Sequence, residues 1–212
     1  LTIDAGYFKL AKIGDFVWED RNANGIQDPL EPGIPNVTVE LTGTDARGGV
    51  INTSTTTNGV GFYEFANLVP GTYVVRFVKP GDLYKASPAN VGMDDAKDSD
   101  ASIVNGQTGT ILLKSGENNN TIDAGFFRCA YVGDYVWLDD NGTNDYVQDG
   151  SDVGLNGILV ELYSTANPGT PVQSMLTIDN PKFPGQKGYY NFEVCQVGTY
   201  FIKVIKPEIY EY

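Results

Sequence analysis

The chain repeats itself at a fixed offset of 119 residues. The segment Ile13-Gly-Asp-Phe-Val-Trp18-Glu-Asp20 returns as Val132-Gly-Asp-Tyr-Val-Trp137-Leu-Asp139. Likewise Thr2-Ile-Asp-Ala-Gly-Tyr-Phe8 returns as Thr121-Ile-Asp-Ala-Gly-Phe-Phe127. A repeat of that length is one folded module. The expected organisation is the final strand of a preceding module at 1–8, a complete module at 11–127, and a second, truncated module at 128–212. Such arrays bear load or span distance.

Within each module, short alternating segments dominate. Phe16–Trp18, Val37–Leu41, Phe62–Phe65, Tyr73–Phe77, Thr110–Leu113 and Thr121–Phe126 are rich in β-branched or aromatic residues and bounded by Gly, Pro, Asn or Asp. Asn52–Gly59 reads as a further strand and turn. With 25 Gly and 11 Pro and no helical periodicity, the class is all-β, and this strand density favours a two-sheet sandwich. Between the last strand of the complete module and the first of the next lie Arg128 to Tyr131, too few residues for much freedom, so a semi-rigid rod is expected.

Composition narrows the chemistry. The 14 Lys+Arg against 27 Asp+Glu leave a net charge of −13, which argues against nucleic acid and anionic membrane surfaces as partners. There is no histidine, which removes His-dependent triads and most zinc sites. No apolar run reaches membrane-spanning length, so no direct membrane insertion is expected. Carboxylates abound without a partner nucleophile or base, so no enzyme activity is expected. Cys129 and Cys195 are either two separate thiols or one disulfide; a disulfide implies an oxidising, extracytoplasmic compartment.

The residues after the first strand have the spacing of a 12-residue calcium loop. Asp20, Asn22 and Asn24 occupy positions 1, 3 and 5, Gly25 the sharp turn at 6, and Ile26 offers its carbonyl at 7. Asp28 stands at 9 and Glu31 at 12. Calcium takes hard oxygens, and a chain must curl tightly to supply them. Pro29, Pro32 and Gly33 deny an exit helix, so this loop links two strands. The competing reading is a solvated acidic turn.

The second copy is looser: Asp139, Asn141, Asn144 or Asp145, the Val147 carbonyl, Asp149 and Asp152, with two extra residues before Val147. A further run, Asp94-Asp-Ala-Lys-Asp98-Ser-Asp100, groups Asp94, Asp98 and Asp100 as ligands or as a solvated face. Glu19 can complete either site of the first module.

The ordered string from Gly14 to Leu41, with Gly61-Phe-Tyr-Glu-Phe65, Pro70-Gly-Thr-Tyr73, Asp94–Asp100 and Ile122-Asp-Ala-Gly125, resembles the SdrD B-like family. The second module matches through Gly198-Thr-Tyr200. The resemblance implies a calcium-binding, Ig-like or prealbumin-like β-sandwich repeated in stalks of large bacterial surface proteins. It supports Asp20, Asn22, Asn24, Ile26, Asp28 and Glu31 as one site, and Asp94, Asp98 and Asp100 as contributors to another. Related collagen-adhesin B-type modules carry Lys–Asn isopeptide bonds. The strand Ile13–Trp18 has no lysine, so none is expected here.

Three functional readings follow. The first is a calcium-stiffened extracellular spacer whose partners are the neighbouring modules of its own chain. The second is a subunit that assembles with other copies of itself in a fibre by strand donation. The third is recognition of a glycan or host protein through exposed tyrosines, for which nothing converges into a pocket.

Overall fold

The computed structural model describes residues 4–139, 147–148 and 152–208. Among them every regular element is a strand, and the chain forms two compact units, Leu1–Cys129 and Ala130–Tyr212. The first contains β1 (Ala11–Glu19), β2 (Thr38–Asp45), β3 (Val50–Thr56), β4 (Phe62–Leu68), β5 (Gly71–Phe77), β6 (Tyr84–Ala86), β7 (Ile111–Leu113), β8 (Asn118–Asn119) and β9 (Ala124–Arg128).

Two sheets make its layers. One has the order β4-β1-β9-β6, with β8 beside the start of β1; the other runs β3-β2-β5-β7. β1 is antiparallel to β4 but parallel to β8 and β9. The period-two alternation dictates which face is buried. Val39 and Leu41 on β2, and Tyr73, Val75 and Phe77 on β5, are buried and belong to one core with Ile13, Val17, Tyr63 and Phe126 of the other sheet. The Tyr63 and Phe77 rings meet edge-on at 5.5 Å across the layers. Buried phenols keep their polar ends satisfied: Tyr63 donates to the Ile122 carbonyl at 2.7 Å and Tyr73 to the Val69 carbonyl at 2.6 Å.

Among the boundaries that differ from those read in the sequence, three bear on the site or the chain's ends. β1 begins at Ala11, ahead of the expected Ile13, because its first residues pair with β4 and β8. Lys12 is therefore in the strand. The closing strand begins at Ala124, not Thr121, because the preceding residues serve side-chain contacts: Asn119 accepts from the Thr121 amide, and Asp123 accepts from the Phe16 amide. Residues 4–8, expected to be part of a strand, carry no strand pairing.

The second unit contains β10 (Ala130–Tyr135), β11 (Trp137–Leu138), β12 (Val153–Gly154), β13 (Leu159–Ser164), β14 (Gln173–Leu176), β15 (Tyr189–Val194) and β16 (Tyr200–Ile205). β10 pairs with β15, β11 with β12, and β13 lies between β14 and β16, all antiparallel. Val160, Leu162, Phe192 and Val194 form its core. Cys129 and Cys195, the chain's two cysteines, are disulfide-bonded. The register puts Ala130 opposite Val194, which carries the two sulfurs past the end of the β10–β15 ladder. Both cysteines are half-buried.

Candidate metal centre

The 12-residue loop is closed at its base by an antiparallel bridge between Trp18 and Gly33 and by the Glu19 amide on the Pro32 carbonyl at 2.8 Å. Asp20, fully buried, caps the turn: its two carboxylate oxygens accept from the amides of Asn24 at 3.2 Å and Gly25 at 2.8 Å. Asn22 and Asn24 each accept from the amide two residues on, at 3.0 and 2.7 Å. These are the short local bonds that make Asn and Asp turn-formers. Glu31 folds back on both ends, accepting from the Arg21 amide at 2.8 Å and the Asp28 amide at 3.0 Å. Asp28 accepts from the side-chain amides of Asn22 at 2.7 Å and Asn24 at 2.9 Å.

The loop thus gathers the side chains of Asp20, Asn22, Asn24, Asp28 and Glu31 in one curl. Gly25 makes the curl with φ of 80°, and a Cβ there would lie 2.2 Å from the Pro88 carbonyl oxygen.

Against this loop lies the second acidic run. Ile26 and Asp98 form an antiparallel bridge, Gln27 donates to the Lys97 carbonyl at 2.7 Å, and Ser99 donates to the Gly25 carbonyl at 3.0 Å. Carboxylate oxygens of Asp95, Asp98 and Asp100 all lie within 4.8 Å of one another. The expected grouping contained Asp94 in place of Asp95. Asp94 instead pairs with Lys97 at 3.0 Å, which holds its carboxyl below the usual carboxylate range. Asp98 is buried, with one carboxylate oxygen that meets no hydrogen-bond donor. Burial, then the neighbouring Asp95 and Asp94, raise its pKa.

Asp123 extends the acidic cluster inward, and the sequence reading missed it. Its amide donates to Asp100 at 2.8 Å, and one of its oxygens accepts from the Phe16 amide at 2.9 Å. Its other oxygen is buried with no partner. Burial first, offset by the Phe16 bond and reinforced by Asp15, Asp100 and Asp98, pushes its pKa up to about 9. Asp100 is pushed up to about 7, chiefly by burial, and Asp15 to about 6 by burial. A buried carboxylate oxygen without a donor costs free energy unless a proton or cation meets it. The donor set is therefore one of hard oxygens with negative charge in excess, which fits a calcium-sized ion.

Glu19 completes neither site. It accepts from the Arg128 guanidinium, with Nε at 2.9 Å, and Arg128 stacks over Tyr84 at 5.5 Å. Lys12 pairs with Glu64 at 2.6 Å, its side chain 41% exposed to water.

In the second unit β11 and β12 reproduce the loop base, with Trp137 opposite Gly154 as Trp18 is opposite Gly33. Asp139 follows β11 and Asp152 precedes β12, so the two ends of the expected ligand set are adjacent. Val147 is described; Asn141, Asn144, Asp145 and Asp149 lie outside the described residues. Glu193 stands near both cysteine sulfurs, but sulfur held in a disulfide is no thiolate ligand.

The family model described as SdrD B-like domain matches residues 11–126 and 130–212. Serine-aspartate repeat-containing protein F of Staphylococcus epidermidis (strain ATCC 12228 / FDA PCI 1200) is 40% identical over 98% of the chain, which spans 12% of that protein. Serine-aspartate repeat-containing proteins E (strain USA300) and D (strain Newman) of Staphylococcus aureus are 37% and 36% identical over 98% and 99% of the chain, which spans 16% and 15% of them. Among solved structures, the full-length major pilin SpaD from Corynebacterium diphtheriae aligns over 95% of this chain and 58% of its own, at 12% identity and a TM-score of 0.40.

Proposed function

The chain belongs to the SdrD B-like domain family of bacterial surface-protein repeats, and on that premise we propose that it is a calcium-stabilised spacer without enzymatic activity. The observation that carries this reading is the backbone bridge between Ile26 and Asp98, which presses two acidic segments together. Like charges so concentrated repel unless a cation lies among them. The first ion would be held by Asp20, Asn22, Asn24, Asp28, Glu31 and the Ile26 carbonyl. The second would take Asp98 and Asp100, with Asp95 beside them. Asp139, Asn141, Asn144 or Asp145, the Val147 carbonyl, Asp149 and Asp152 would form the corresponding loop of the second unit. Calcium supplies positive charge and multivalent oxygen coordination there; the chain supplies the curl and excludes water from Asp20 and Asp98.

Ions that bind the folded state stabilise it by mass action, about 1.4 kcal/mol per site at tenfold excess over Kd. Extracellular modules bind calcium in the range of about 10⁻⁴–10⁻³ M. The disulfide fits an extracellular setting, where such bonds persist. The chain passes from β9 to β10 through Cys129 alone, a connection with little slack. Partners on this reading are the neighbouring modules of the same polypeptide. Calorimetric titration of the chelated protein with calcium, paired with thermal melting, tests it. Heat of binding with a rise in Tm is expected; no heat and an unmoved Tm would reject it.

A further inference from the structure

Among the described residues β3 is an unprotected edge, and we infer that it pairs with β3 of a second copy of this chain. It is the outer strand of the sheet β3-β2-β5-β7, in unbroken register with β2 from Thr38 opposite Thr56 to Thr44 opposite Val50. Exposed edges are ordinarily blunted by charge, proline, bulges or short length. β3 has none of these: seven residues, Val-Ile-Asn-Thr-Ser-Thr-Thr, without Pro, charge or a register shift. The other outer strands of this unit differ. β4 carries Glu64, β6 carries Lys85 and is three residues long, and β7 is three residues long.

The charge pattern points to a copy of the same chain. On a protein of net charge −13, the stretch Gly48 to Tyr63 holds no charged side chain, so self-repulsion is low where this strand lies. The nearest charge on the solvent face of β2, Glu40, is neutralised by Arg76 at 2.9 Å. The corresponding edge strand of the second unit, β14, also lies in a charge-free stretch, Leu162 to Ile178.

Hydrogen-bond phase fixes the register. Thr57 donates to the Val37 carbonyl and Asp45 to the Gly49 carbonyl, so odd-numbered residues of β3 bond inward to β2. Val50, Asn52, Ser54 and Thr56 therefore aim their backbone N–H and C=O groups outward, and their side chains are exposed. An antiparallel pairing that sets Asn52 against Ser54 of the second copy, and Val50 against Thr56, satisfies every one of those groups. That arrangement has two-fold symmetry, with Thr53 facing Thr53 of the second copy in a non-hydrogen-bonded pair. Cα atoms in such pairs are about 4.5 Å apart, within disulfide range.

The test uses the whole chain with its own disulfide intact. Thr53→Cys should give a covalent dimer under mild oxidation, increasing with protein concentration and reversed by thiol. Ser54→Cys, out of register with its own copy, should crosslink several-fold less. Adding Ser54→Pro to Thr53→Cys removes an outward N–H while sparing the β2–β3 ladder, and should abolish the dimer with the melting curve unchanged. Equal crosslinking at both cysteines, dimer that persists with Ser54→Pro, or monomer at every concentration would overturn the inference. Monomer throughout is also the outcome if the edge receives a strand of some other protein. Calcium is supplied in one arm and chelated in the other, so failure here is separable from failure of the metal reading.

Discussion

Ile26 and Asp98 are bridged backbone to backbone, so the carbonyl-bearing position of the calcium-type loop and the buried carboxylate of the second acidic run move as one. Gln27 on Lys97 and Ser99 on Gly25 extend the same seam. Order imposed on one segment is therefore imposed on the other. Filling either cluster should protect both against proteolysis, and partial calcium loading should not leave one segment protected while the other is cut.

If the loops hold calcium as proposed, chelation should lower stability. At calcium about tenfold above Kd, each filled site contributes about 1.4 kcal/mol, or a Tm change of roughly 5 °C for a domain of this size. Differential scanning calorimetry with calcium and with EDTA measures the gap directly. A gap below one degree would contradict the assignment of any ion to these loops.

Asp20 separates ligation from folding. Asp20→Asn keeps the side chain's volume and one acceptor oxygen but removes the charge, so the calcium-dependent rise in Tm should largely vanish. Asp20→Ala also strips the acceptors from the amides of Asn24 and Gly25. Leaving a buried donor unsatisfied costs about 1–3 kcal/mol. Asp20→Ala should therefore melt lower even in EDTA, and equal melting of the two variants in EDTA would contradict this.

Gly25→Ala meets two obstacles. Its φ of 80° is in the left-handed region, and the added Cβ falls 2.2 Å from the Pro88 carbonyl oxygen. The conformational part alone costs about 1–2 kcal/mol. Calcium titration of this variant should show weaker binding than wild type, because the loop must move away from residue 88 to relieve the clash.

The pH dependence of the chelated protein should run against habit. Asp15, Asp100 and Asp123 have pKa values raised to about 6, 7 and 9, so each favours the protonated folded form. Stability from these groups is fully present below their unfolded pKa and is lost as pH rises through the raised values. In EDTA, Tm should fall from pH 5 to pH 9. With calcium the ionised carboxylates are the binding form, so the calcium-dependent increment should grow over the same range. Asp123→Asn should flatten the alkaline part of the EDTA profile. Asp45 and Asp94, whose values are lowered, act in the acid region instead.

The Cys129–Cys195 bond closes a long loop that contains β10 to β15 of the second unit. In the chain-entropy model a loop of this length is worth about 4 kcal/mol. Replacing both cysteines by serine should lower the urea midpoint of unfolding reported by that unit's tyrosines, and reduction of the native protein should match it.

Much of the molecule was legible before its coordinates. The alternation of Val39 and Leu41 with Thr38 and Glu40 encodes a strand with one buried face, and β2 and β5 follow it. Asp20 to Glu31 encodes much of its own curl because its side-chain-to-amide bonds join residues within the loop. The short β6 and β8 gave no such signal. Tyr84-Lys-Ala86 and Asn118-Asn119 lack the run of apolar residues that marked β7, and they exist because β9 and β1 offer them an edge.

The pattern along the chain by itself determined the repeat, the β class and the loop that folds on its own spacing, since these depend on stereochemistry over a few neighbouring residues. Tertiary structure decided which carboxylates meet. Lys97 draws Asp94 aside and leaves Asp95 in its place, Arg128 takes Glu19, and Asp123 is carried into the acidic cluster by its place beside β1. Those choices depend on strand register and packing between residues far apart in the chain, where no local spacing records the distance.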